Sequence, residues 1–210
     1  MRGALTPAGT ARVVEGSAAE ILAEVRDPDV ALAIWRRRRP AGFADWLDAV
    51  PAERLPEGRF VCAPDQAPSH LETLCHLVGL HDPRRRLLID DVVALVERFA
   101  AIARAAAIEV RLEAVDHDSC WRFHRDHVGL RLNATYRGPG TQWPPLGEAR
   151  RASRAQRRYA GPLNEVAPYS VALFKGVPLA GDRAVLHRSP PVEGSGVTRL
   201  FLCIDCESAD

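Results

Sequence analysis

This sequence of 210 residues is short of several things. It holds one lysine, Lys175, so nearly all of its basic charge is arginine; that bias is what a GC-rich bacterial genome would be expected to give, and no recognition chemistry is read from it. It lacks an excess of charge: 28 basic side chains stand against 27 acidic ones, a net +1 at pH 7. That balance removes the global electrostatic argument for nucleic acid or an anionic membrane as partner. No apolar run approaches the roughly 20 residues that span a bilayer, and no charged segment followed by an apolar one opens the chain. The five cysteines are odd in number and irregularly spaced, so they define no disulfide framework. These absences lead to the expectation of a reduced, cytoplasmic protein that acts on small molecules or proteins, with no nucleic acid and no membrane partner.

What is present is a hydrophobic content of 47%, enough for one good core. A single domain over residues 1–207 is expected, with a helical region over about 18–107 and a β core over about 108–206. In the first part, helices are expected from Ala18 to Val25, Val30 to Arg36, Phe43 to Val50 and Ser69 to Leu80. The strongest runs from about Leu88 to Ala107, where Leu88, Val92, Leu95, Val96, Phe99 and Ile102 recur at helical spacing. After Ala107 the period becomes two. Val110, Leu112 and Ala114 alternate with Arg111 and Glu113, and Leu130, Leu132, Ala134 and Tyr136 with Arg131, Asn133, Thr135 and Arg137. Gly138-Pro139-Gly140 then reads as a turn, with later strands at Ser170 to Lys175, Ala184 to His187 and Thr198 to Asp205. Arg150 to Tyr159 is polar enough for a loop, a short helix or a lid.

The chemistry concentrates in Trp121-Arg122-Phe123-His124-Arg125-Asp126, in His187 sixty-one residues after Asp126, and in Arg199 twelve residues beyond His187. In an extended segment residues i and i+2 share a face, so His124 and Asp126 can converge on one ion. The pair alone is weak, because seven histidines among fourteen aspartates give a His-x-Asp by chance about half the time. Order strengthens it: a second histidine on a later strand completes two imidazoles and one carboxylate, which leave positions open on the non-heme iron of oxygenases. Arg199 offers a bidentate fork for a dicarboxylate such as 2-oxoglutarate. Zinc is the alternative metal, since the same donors bind it.

The stretches Phe123 to Asp126, Arg131 to Pro144, Val171 to Gly176, His187 to Pro191 and Gly196 to Leu200 resemble the bacterial "domain of unknown function 1826" family. More distantly they are similar to the prolyl-hydroxylase-like Fe(II)/2-oxoglutarate dioxygenases. The resemblance covers about residues 31–205. It implies an α+β fold with a double-stranded β-helix (jelly-roll) core in the C-terminal half and the N-terminal helices packed outside. It implies His124, Asp126 and His187 as iron ligands and as the catalytic set, Arg199 as the 2-oxoglutarate anchor, and Tyr136 or Asn133 as a further hydrogen-bonding partner of the cofactor. The implied function is an Fe(II)- and 2-oxoglutarate-dependent oxygenase of unknown substrate. Two alternatives stay open: a non-oxygenase metal-binding protein, such as a zinc-homeostasis accessory, and a non-catalytic jelly-roll interaction module. Phe201 stands where the prolyl-hydroxylase pattern has a small hydroxyl residue.

Other motifs have plainer explanations. Cys203 and Cys206 lack a second Cys-x-x-Cys and point to opposite faces of a strand. Asp116, His117, Asp118 and His127 read as turn caps or solvated groups. His70, Cys75, His76 and His81 match no structural zinc spacing. Trp121, Trp143 and Phe174 are candidates for the cavity wall but read more simply as core. The arginine runs at 36–39, 84–86 and 150–158 read as solvated faces.

Overall fold

The computed structural model describes residues 11–206, so the expected domain limits of 1–207 reach past the described residues at both ends. In the first half, β1 (Arg12–Gly16) leads through a 3-10 helix at Ala19–Arg26 to β2 (Val30–Trp35), α1 (Phe43–Ala49), β3 (Gly58–Cys62), α2 (Ala67–Leu77) and α3 (Arg85–Ala103). The second half holds β4 (Ile108–Val115), β5 (Leu130–Arg137), β6 (Gln142–Trp143), α4 (Ala149–Ala155), β7 (Asn164–Glu165), β8 (Val171–Lys175), α5 (Val177–Ala180) and β9 (Arg199–Cys206).

Seven strands form one sheet in the order β1-β2-β8-β5-β9-β4-β3. The β1–β2 edge is parallel; the inner pairings are antiparallel. A smaller layer is made by β6 with β7 and by single bridges joining Gln142 to Arg188 and His124 to His187. The result is a double-stranded β-helix with helices outside it, as the sequence led us to expect.

The pleat divides the large sheet into two chemistries. Val110 and Leu112 of β4, Leu132, Ala134 and Tyr136 of β5, and Leu200, Leu202 and Ile204 of β9 are buried in the core shared with α1, α2 and α3. Their neighbours in sequence, Arg111 and Glu113, Arg131 and Asn133, and Arg199 and Cys203, line a cavity on the other face. Side chains of period two can serve both faces of one sheet only in this way. A buried ion pair ties the helical layer to the sheet: Asp91 of α3 takes both terminal nitrogens of Arg37, at 2.5 and 3.0 Å, together with the hydroxyls of Tyr136 at 2.6 Å and Tyr169 at 3.2 Å.

Three expectations are corrected. The segment expected as a helix from Val30 to Arg36 holds strand β2 (Val30–Trp35) instead; the strand is buried on both faces, and an apolar run without alternation does not separate a buried strand from a buried helix. The region expected to be helical thus contributes β2 and β3 to the main sheet. Arg37, expected on a solvated face, is buried against Asp91.

Removing the Asp91 carboxylate leaves the Arg37 guanidinium and two phenols buried without their acceptor. Asp91→Ala is expected to cost about 3 kcal/mol of stability, read as a lower urea midpoint; a loss under about 0.5 kcal/mol contradicts a structural role for this network.

Candidate metal centre

His124 and His187 lie opposite each other across the smaller layer and exchange both backbone hydrogen bonds, each N–H donating to the other's carbonyl at 2.9 Å. Their neighbours Phe123 and Leu186 turn outward into a cluster under α4, so the two imidazoles turn inward, with ring centroids 4.6 Å apart. Gln156, whose backbone has φ +50°, holds this strand from outside: its Oε1 accepts the Phe123 N–H at 2.8 Å and its Nε2 donates to the Phe123 carbonyl at 3.2 Å. Asp126 follows on the inner face and is buried. Its carbonyl accepts the Val177 N–H at 2.8 Å. Gly176 makes that approach possible, since a Cβ there would lie 1.9 Å from the Val128 oxygen and 2.8 Å from that of Asp126.

Donor atoms of His124, Asp126 and His187 all lie within 4.8 Å of one another, the one such group of three among the described residues. The His124 Nδ1 is 2.9 Å from the Arg122 carbonyl and the His187 Nδ1 is 3.1 Å from that of Val185. A carbonyl only accepts, so both Nδ1 atoms carry a proton, which leaves Nε2 as the inward-facing ligand atom of each neutral imidazole. Burial pushes the His187 imidazole down to about 4, against the raising effect of Asp126, so it is neutral at pH 7. Its Nε2 then stands 3.3 Å from an Asp126 Oδ2 that has no hydrogen-bond donor of its own. Two acceptors facing each other with no proton between them repel; a cation between them removes the repulsion. The residues present therefore fit a divalent metal.

The other Asp126 oxygen pairs with Arg131, whose guanidinium also grips Asp205 through two bonds of 2.7 Å. Arg111 joins the row, 3.1 Å from Asp205 and 3.2 Å from Glu109. Arg199 differs. It is 1% exposed, lines the same cavity as the two histidines, and has no ion-pair partner among the described residues. Its Nε donates to the Pro139 carbonyl at 2.8 Å, and one terminal nitrogen is 3.5 Å from the Thr135 hydroxyl. Burial lowers its pKa to about 10, offset only in part by Glu113 and Glu165. The Gly138 turn makes room for it: at φ +78°, a Cβ would stand 2.9 Å from the Arg199 Cγ. Asn133 also lines the cavity, its buried Oδ1 without a donor.

Tyr136 is a correction. It lies on the helix face of β5 and donates to Asp91, because its parity is that of Leu132 and Ala134 and opposite to that of Asn133. Phe174 packs on His187 at 4.4 Å between ring centroids, and Trp143 joins the same core cluster as Phe174; neither lines the cavity, nor does Trp121, which meets Arg157 at the surface. Residues 149–158 cover Phe123 and Leu186 instead of forming a lid over the cavity. Asp118 caps the backbone N–H groups of Val192 and Glu193. His70 stacks on Phe60. Cys203 faces the cavity and Cys206 the opposite side, both as free thiols. Sequence reasoning missed Arg131 and Gln156; the alternation of β5 gives the first its face, and no local signal marks the second.

A family model described as "Protein of unknown function (DUF1826)" matches residues 16–205. The chain belongs to the DUF1826 family. No curated protein matches the DUF1826 chain. Among solved structures, it is similar to the dioxygenase for auxin oxidation 1 of Arabidopsis thaliana, in a 2-oxoglutarate complex, at TM-score 0.51 and 9% identity, over 96% of this chain and 94% of that one. A bsmA homologue of Methylobium petroleophilum PM1 follows at 0.46 and 16%, over 89% and 91%. A Pseudomonas putida prolyl-4-hydroxylase follows at 0.41 and 13%, over 90% and 99%. At these identities the likeness concerns the fold of the DUF1826 chain, and of these three structures the first carries it.

The DUF1826 protein is expected to bind one Co(II) with the absorption of a nitrogen- and oxygen-ligated ion, and His124→Ala and Asp126→Asn each to abolish that spectrum; unchanged spectra contradict the ligand set. A second expectation concerns pH. His187 in the folded, metal-free protein titrates near 4, below the ordinary 6.5, so between those values the unfolded chain binds more protons. The stability contributed by its neutral form is complete above about 6.5 and declines as pH falls toward about 4. His187→Gln is expected to flatten the stability profile in that window, and an unaltered slope contradicts the assignment.

Proposed function

We propose that this protein is a non-heme Fe(II)- and 2-oxoglutarate-dependent oxygenase of the hydroxylase type. The observation that carries the reading is the pairing of a buried arginine, without an ion-pair partner among the described residues, with two histidines that line the same cavity and converge with Asp126, whose Oδ2 has no hydrogen-bond donor. A buried guanidinium that pairs with no carboxylate of its own chain costs stability, and a ligand carboxylate offsets that cost. The 2-oxoglutarate bound by the Arabidopsis relative supplies such a carboxylate, which supports the reading by analogy of fold.

Bound there, Fe(II) with 2-oxoglutarate and dioxygen as the oxidant would supply oxidative decarboxylation of the keto acid to succinate and carbon dioxide, coupled to oxidation of a substrate C–H bond. The protein's share is positioning. His124, Asp126 and His187 hold one face of the ion; Arg131 fixes one Asp126 oxygen and leaves the other for the metal; the Arg122 and Val185 carbonyls fix both imidazole tautomers. Arg199 anchors the distal carboxylate, and Asn133, with an unpaired amide oxygen, accepts a hydrogen bond from a bound group. The apolar packing of Phe174 against His187 limits water around the ligands.

The donor set would take zinc as well, but the zinc-accessory alternative leaves Arg199 without a task. The interaction-module alternative leaves the facing lone pairs of His187 and Asp126 unexplained.

Purified protein with Fe(II), ascorbate and oxygen is expected to release succinate from 2-oxoglutarate slowly without added substrate. Arg199→Gln and Arg199→Lys should raise the KM for 2-oxoglutarate about ten- to a hundredfold, the worth of a charge-assisted bidentate contact, with metal binding retained. Absence of succinate from iron-loaded protein, or a KM indifferent to Arg199, overturns the proposal.

A further inference from the structure

The cavity holds one more carboxylate that no ion pair or hydrogen bond ties down among the described residues, although Arg111 and Arg199 act on it through space. Glu113, on β4, lines it beside Arg111 and Val115, and the alternation of β4 sends its side chain to the cavity face, since Val110 and Leu112 fill the core on the other side. The other carboxylates of this face are paired: Asp126 and Asp205 with Arg131, Glu109 with Arg111. Glu113 has no ion pair and no hydrogen bond among the described residues. Directly across the β4–β9 ladder stands Phe201, half-buried, also in the cavity wall. Side chains opposite each other in an antiparallel pair share a face with Cβ atoms about 5 Å apart. The Arg199 guanidinium lies 5.1 Å from the Phe201 ring centroid, one example of a cation already resting on that ring.

A carboxylate beside an aromatic face is the chemistry that selects an ammonium or a guanidinium, through Coulomb attraction on one side and the ring quadrupole on the other. An anion in this cavity is drawn to the arginines, Arg199 above all, and is disfavoured only in direct contact with the Glu113 carboxylate. If 2-oxoglutarate takes Arg199, a dianion sits near Glu113, and a cation on the substrate relieves the like-charge repulsion. We propose that Glu113 and Phe201 form the subsite for a positively charged amine or guanidine of the substrate. The proposal deepens the oxygenase reading and rests on it for the word substrate; the binding of a cation at this pair does not.

The test uses the metal-loaded protein under anaerobic conditions, with agmatine and butylamine as cationic probes and butanol as a neutral one, read by ligand-observed NMR. In wild-type protein the cations are expected to bind at least about tenfold more tightly than butanol. Glu113→Gln, isosteric and uncharged, should erase that preference and tighten 2-oxoglutarate about threefold by removing the like charge; Phe201→Leu should weaken the preference while the carboxylate remains. Equal binding of cations and butanol to wild-type protein, or a preference that survives Glu113→Gln, overturns the subsite. Failure of 2-oxoglutarate to bind, with a cation preference that Glu113→Gln abolishes, overturns the oxygenase reading and leaves the subsite standing.

Discussion

The pleat of three neighbouring strands, β4, β5 and β9, governs the molecule. Each alternates between an apolar residue for the helical core and a polar one for the cavity. The register Arg111–Cys203–Asn133 and Glu109–Asp205–Arg131 across β4, β9 and β5 stacks those polar residues into rows. A slip of one residue in any strand would bury the arginines against α3 and expose the leucines to the cavity. The hydrophobic core therefore specifies the site, because burying Leu112, Leu132 and Leu202 on one face commits the intervening side chains to the other.

On that polar face, charges are arranged so that some are satisfied within the protein and some are not. Arg131, Arg111, Asp205 and Glu109 form ion pairs with one another, which gives the floor of the cavity a fixed geometry, although the Arg111 Nε has no hydrogen-bond partner. Asp126 is satisfied on one oxygen only. The remaining donors, the Asp126 Oδ2 and the Nε2 atoms of His124 and His187, face one another, and the Arg199 guanidinium and the Glu113 carboxylate face the cavity without an ion pair among the described residues, acting on each other only through space. A fold can leave such groups unpaired only at a cost, and the reading of this site is that bound groups offset it: a metal cation for the three donors, a carboxylate for Arg199, a cationic group for Glu113.

Parts of this were legible in the chain because their signal is local. β5 alternates strictly over eight residues and ends at Gly138-Pro139-Gly140, so the periodicity located it. His124 and Asp126 share a face by spacing alone. β2 was hidden because burial on both faces erases alternation. The strand expected at Ala184 to His187 is not formed as such: that segment pairs only through single bridges at His187 and Arg188. The role of Arg131 depends on Asp205, 74 residues away, and that of Gln156 on Phe123, 33 residues before it; no local pattern encodes such meetings. Tyr136 could have been set aside from the sequence itself, since a strand that turns Asn133 toward the site turns Tyr136 away from it.

The central claim is that His124, Asp126 and His187 hold an iron that 2-oxoglutarate can chelate while Arg199 holds its distal end. Anaerobic titration of the metal-free protein with Fe(II) in the presence of 2-oxoglutarate tests it most directly. The account predicts a weak visible charge-transfer band that saturates at one iron per chain and is lost in His124→Ala. Stoichiometric iron binding without that band, or a band that persists in the variant, would contradict it.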